Sequence, residues 1–68
     1  MQVLTQSGSV YNVDTKNHTV SGGKLGTQVV PYKDCNLMQG CVGIFTLTDG
    51  RILQTSTIVS YGPSVFSV

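Results

Sequence analysis

The chain has no alanine, no glutamate and no tryptophan, and charged residues fill only 10% of its 68 positions. Each shortage excludes something. Without Ala and Glu, and with few Leu, Met and Lys, no segment collects the residues that favour a helix. The four cations, Lys16, Lys24, Lys33 and Arg51, are scattered, so no basic stripe is available to grip a duplex, and general DNA or RNA binding is not expected. No apolar run approaches the length that spans a bilayer. Met1 leads into strand-like sequence without a basic and hydrophobic leader, and the expectation is a cytoplasmic protein with no membrane partner. Two Cys and one His are too few to close a zinc site, and His18 falls on a polar turn far along the chain from Cys35 and Cys41. A cysteine nucleophile would depend on that same distant His. No metal, no cofactor and no enzymatic activity are expected.

What is present points to strands. Val, Thr and Ile occur 10, 8 and 3 times, and these β-branched residues suit a pleated surface. Residues 2–6 (QVLTQ) and 9–14 (SVYNVD) flank Ser7-Gly8 and read as a hairpin, with Tyr11 and Val13 on one face and Val10, Asn12 and Asp14 on the other. Residues 15–18 are turn-like, residues 19–21 form a short edge strand, and Gly22 to Gly26 form a flexible connection. Residues 27–33 (TQVVPYK) resume strand composition, with Pro31 marking a sheet edge or a bulge because it cannot donate a ladder hydrogen bond. Residues 34–41 (DCNLMQGC) read as a loop whose two cysteines stay reduced in a cytosolic setting.

Asp49-Gly50 between two β-rich runs is the clearest turn signal. A two-residue turn there pairs Leu47 with Ile52, Thr46 with Leu53 and Phe45 with Gln54. One face of the hairpin then holds Phe45, Leu47, Ile52 and Ile58, and the other holds Val42, Ile44, Leu53 and Val59. Both faces are apolar, and a single chain this small has little to cover the second one. The sequence therefore predicts one domain over residues 1–68, an all-β antiparallel barrel of about five strands, SH3-like or partly open. One hairpin face builds the core and the other packs on a second copy, giving a homo-oligomer. In the alternative, residues 61–68 act as a tail, and Val65, Phe66 and Val68 cover the second face within one chain.

Candidate ligand groups are few. Arg51, the one guanidinium, is the best bidentate donor to a phosphate. Lys24 lies in a Gly-rich loop that lacks the P-loop pattern and its following helix, and it is able to hold a single phosphate beside the backbone amides. Lys33 is the third cation. Tyr11, Tyr32 and Tyr61 offer flat faces for a base to stack on, or pack a barrel. Thr55 and Thr57, within the polar run Gln54 to Thr57, serve either a ligand or a dry subunit contact.

The run Thr5-Gln6-Ser7-Gly8-Ser9-Val10-Tyr11-Asn12-Val13-Asp14, with Leu53 to Val59 (LQTSTIV) far downstream, resembles small phage-encoded β proteins. Their openings read T-x-S-G-S-x-Y-x-V-D and their last strands contain T-S-x-V. Members carry a basic or Pro-containing insertion after the V-D pair, where this chain has TKNHTVSGGKLG. The resemblance implies a phage origin and leaves the activity open, since those proteins are mostly of unassigned function. Short phage reading frames encode virion parts and inhibitors of host defence, including oligomers that sequester cyclic-nucleotide signals without cleaving them. The expectation is a non-enzymatic accessory protein that captures a small nucleotide signal at a subunit boundary. The alternatives are a minor virion or assembly protein, and an inhibitor that adds its edge strand to a host protein.

Overall fold

The structure, a computed structural model, describes residues 1–63. Among the described residues six strands follow one another: β1 (Gln2–Thr5), β2 (Val10–Asp14), β3 (Thr19–Gly22), β4 (Val30–Asn36), β5 (Val42–Leu47) and β6 (Ile52–Gly62). Each pairs antiparallel with the next, and β6 returns to pair with β1, so the sheet closes into a barrel. The all-β antiparallel barrel expected from composition is what the chain forms, with six strands and a closed ring of hydrogen bonds.

Alternation decides what fills the barrel. Tyr11 and Val13 point inward from β2 while Asn12 and Asp14 face water, as the sequence predicts. Val3, Val20, Val30, Tyr32, Phe45, Leu47 and Ile58 complete the core, and Leu25, Cys35, Leu37 and Leu53 pack against it from the rim. Closing the ring gives every strand two neighbours. β3, expected as an edge strand, is therefore internal, paired with β2 and β4. The β3–β4 seam is the shortest, joined in register only at Thr19↔Pro31 and Val20↔Val30. Beyond Pro31 the Tyr32 amide still donates to the His18 carbonyl at 2.9 Å, and on the other side of β4 the pairing with β5 is irregular between Tyr32 and Asp34, one residue past the proline expected to mark an edge or a bulge.

Three local expectations need correction. The supposed loop 34–41 begins as strand, because β4 continues to Asn36 and pairs with β5. The connection after β3 contains a 3₁₀ turn, Gly23–Leu25. The third correction concerns the β5–β6 turn. The Leu47 amide donates to the Arg51 carbonyl at 2.8 Å and the Gly50 amide to the Leu47 carbonyl at 3.0 Å. Only Gly50, at φ +91°, takes the left-handed conformation, whereas a two-residue turn demands it of Asp49 as well. Asp49 instead turns its carboxylate onto the Arg51 amide at 2.9 Å. The loop gains one residue and the register moves by one, so that Thr46 faces Ile52, Phe45 faces Leu53 and Ile44 faces Gln54. A one-residue slip exchanges faces. Leu53 accordingly turns toward the core and Ile52 to the outside, the reverse of the expected placement.

β6 serves both sides of the closure. Its first half pairs with β5 and its second half with β1, and irregularities at Val42/Ile44 and Leu4/Thr5 mark the transition. Thr55 and Ile58 both point inward across this bend. The absence of a side chain at Gly43 makes room for it: a Cβ there would lie 2.9 Å from the Thr55 hydroxyl and 3.2 Å from Ile58 Cδ1. The tail expectation for Val65, Phe66 and Val68 falls outside the described residues.

Candidate functional site

Two surfaces stand out from a well-packed barrel. The first is the outer face of the β5–β6 hairpin, where Val42 and Ile44 are each 37% exposed, Val59 45% and Ile52 58%. Ile44 lies opposite Gln54, which makes Ile52 its diagonal neighbour on the same face, and Val42 stands two residues along the same strand. Leu4 and Val10, half-buried and paired with each other on β1 and β2, extend apolar surface around the barrel beyond Val59. The expected apolar outer face of this hairpin is present, with Ile52 in the place expected of Leu53.

The second is a crevice of about 170 Å³ at one end of the barrel, between the 3₁₀ turn and the β5–β6 loop. Leu25, Val30, Leu47, Ile52 and Leu53 form its walls, and Gln28 and Arg51 supply its polar groups. Sequence reading missed it as a site. Of its lining only Arg51 was named as a candidate, and the one further signal was Leu25, an isolated apolar residue in a Gly-rich stretch. A wider, shallow groove of about 680 Å³ crosses the opposite side near Gln2, Asn12, Asp14, Thr19 and Ser21.

The eight candidate ligand residues do not gather in one place. Tyr11 is buried, its ring lies under Gly23, and its hydroxyl accepts the Lys24 amide at 3.3 Å. Tyr32 is buried, stacked on His18 at 5.1 Å and edge-on to Phe45 at 5.5 Å. Burial, and then the neighbouring Cys35, push its hydroxyl above the ordinary tyrosine pKa. Thr55 is buried, accepting the Gly43 amide at 2.9 Å and donating to the Ser56 carbonyl at 2.8 Å. These three are thus withdrawn from ligand binding, because inward positions of a narrow barrel must be filled by side chains.

The remaining five are reachable to different degrees. Thr57 is half-buried, and its carbonyl accepts the Gln6 amide. Tyr61 is 46% exposed at the position paired with Val3. Lys33 is exposed on β4. Lys24 reaches across the barrel end and donates from Nζ to the Gln54 carbonyl at 3.0 Å. Arg51 donates from Nε to Asp49 at 2.6 Å, in an ion pair whose side chains are 71% and 51% exposed. The backbone and then the side chain of Arg51 hold the Asp49 carboxyl below its ordinary pKa.

Other chemistry is sparse. Both cysteines carry free thiols, Cys35 half-buried and Cys41 exposed. Among the described residues no three His, Cys or Asp side chains converge as metal ligands do, and no helix is long and apolar enough to cross a membrane. Comparison of the chain with protein-family models, curated proteins and solved structures returns no match.

Proposed function

We propose that the protein is a non-enzymatic binding protein that works as an assembly of identical copies joined through the outer face of β5–β6. The observation that carries this reading is the row Val42, Ile44, Ile52 and Val59, held in water on a surface with few charges to interrupt it. Apolar surface of this kind gains about 25 cal/mol for each Å² removed from water. A self-complementary patch on a rigid sheet is the simplest way for identical chains to realise that gain.

The biological reading is a phage accessory protein, acting in the host cytoplasm, that inhibits a host defence by holding a small cyclic nucleotide where copies meet. It draws on the motif resemblance and on the reachable groups Arg51, Lys24, Lys33, Tyr61 and Thr57. A composite site exists only in the assembly. Thermal shift against a panel of cyclic and ADP-ribose-derived nucleotides should stabilise the wild type, and should leave an Ile44→Asp variant that is folded but unassembled unmoved. No stabilisation of the wild type by any of them removes the signal-capture reading.

A minor virion or assembly protein would use the same self-complementary face, and mass spectrometry of purified particles separates the two. The closed ring counts against inhibition by strand addition, since among the described residues it leaves no strand with a full-length free edge.

A further inference from the structure

We infer that the barrel-end crevice is a binding site, within a single chain, for a small amphipathic carboxylate: one ring or a short alkyl chain carrying a single negative charge. This goes beyond the assembly reading and does not depend on it.

The shape of the site sets the body of the ligand. Val30 and Leu47 are core residues only 7% exposed, and both line the crevice, which therefore opens onto the end of the hydrophobic core. Leu25 and Leu53 pack on that core from either side, and Ile52 forms the outer lip. Binding pockets for drug-sized molecules span about 300–1,000 Å³. At about 170 Å³ this one takes a fragment, and its walls favour an apolar one.

Arg51 sets the charge. Asp49 engages it through Nε, and among the described residues no hydrogen bond reaches its two terminal amino groups. Arg51 lines the crevice, and a guanidinium whose two terminal groups are uncommitted is a planar pair of donors that suits a carboxylate. The ion pair with Asp49 is solvent-exposed, so it opposes a competing anion only weakly. Gln28 is the other polar residue of the lining.

The wall bearing Leu25 is the 3₁₀ turn, which rests on the core through Leu25. It follows β3, whose seam with β4 is two residue pairs long. Its ties are the Gly22 amide to the Gly26 carbonyl at 3.1 Å, the Gly26 amide to the Gly23 carbonyl at 3.2 Å, the Gln28 amide to the Leu25 carbonyl at 3.1 Å, the Lys24 amide to the Tyr11 hydroxyl, and Lys24 Nζ to the Gln54 carbonyl.

The test is titration of the ¹⁵N-labelled protein with benzoate and hexanoate, and with benzyl alcohol and hexanol as uncharged counterparts. Saturable amide shifts are expected at Leu25, Val30, Leu47 and Leu53. The acids should bind more tightly than the alcohols by up to about fivefold, the most an exposed ion pair supplies. Arg51→Gln should bring acid and alcohol level. Asp49→Asn keeps an acceptor for the Arg51 amide while freeing the guanidinium, and it should tighten the acids alone. A merely structural Arg51 would give neither response. Absence of saturable shifts at those amides, or equal affinity of acid and alcohol in the wild type, overturns the assignment. Because Ile52 lies both on the crevice lip and in the proposed assembly row, the titration is run on Ile44→Asp as well as on the wild type; saturable shifts in that monomeric variant are expected whether or not the wild type assembles, and their absence there overturns the assignment.

Discussion

The hydroxyls of Ser7 and Ser56, 49 positions apart, meet at 3.0 Å. Ser7 also contacts Thr5 at 3.1 Å and Ser9 at 3.3 Å, and the Gln6 amide donates to the Thr57 carbonyl at 2.8 Å. The hydroxyls of Thr5, Ser7 and Ser9 in the opening and of Ser56 in the last strand thus form one cluster. It ties the first turn to the bend where β6 passes from β5 to β1. Those residues have a structural task in closing the barrel, which needs no ligand to explain it.

A double-mutant cycle on Ser7→Ala and Ser56→Ala, read by urea denaturation, should give a coupling of about 0.5–1 kcal/mol. Additive effects would mean that the two hydroxyls do not stabilise each other in solution.

The β5–β6 register makes a sharper prediction, since it exchanges the roles of neighbouring residues. Leu53 faces the core opposite Phe45, and Ile52 is 58% exposed. In a monomer, Leu53→Ala should cost about 2 kcal/mol or more, and Ile52→Ala within about 0.5 kcal/mol. Chemical denaturation in an Ile44→Asp background measures both without interference from assembly. A larger loss at Ile52 would restore the two-residue turn.

The strand pattern of the first hairpin, the inward Tyr11 and Val13, and the apolar outside of β5–β6 were all legible in the sequence, because period-two alternation encodes them directly. The position of Leu53 was not. It depends on whether Asp49 accepts a positive φ, a choice settled by its bond to the Arg51 amide and by the fit of Thr55 over Gly43. The burial of Tyr11, Tyr32 and Thr55 was equally hidden. A tyrosine reads the same whether its ring stacks on a ligand or on His18. Arg51 was singled out correctly as an exposed cation, whereas the apolar walls beside it come from four separate segments that only closure of the barrel brings together.

Acid and alkali should act on different groups. Asp14 accepts the Asn17 amide at 2.9 Å, the Asn17 side chain at 2.8 Å and the Lys16 amide at 3.0 Å, and these bonds, the Asn17 amide foremost, hold its pKa below the ordinary value. Asp49 is lowered likewise. A depressed native pKa contributes stability that is complete above the unfolded value, about 3.9, and is lost as pH falls through the native one. Asp14→Asn with Asp49→Asn should therefore flatten the acid limb below about pH 4.

Tyr32 has the opposite sign. Its hydroxyl stays protonated in the native state after the unfolded chain has ionised, so stability should fall as pH rises past about 10. Tyr32→Phe should make that limb shallower. Urea midpoints collected across pH would check both limbs, and an unchanged acid slope in the first variant or an unchanged alkaline slope in the second would contradict the assignment.

Sedimentation velocity across a range of concentrations, on the wild type and on Ile44→Asp, tests the assembly directly. The wild type should sediment above monomer mass, and Ile44→Asp should return to it with its β-sheet circular dichroism intact. A wild type that stays monomeric at several hundred micromolar would contradict the account.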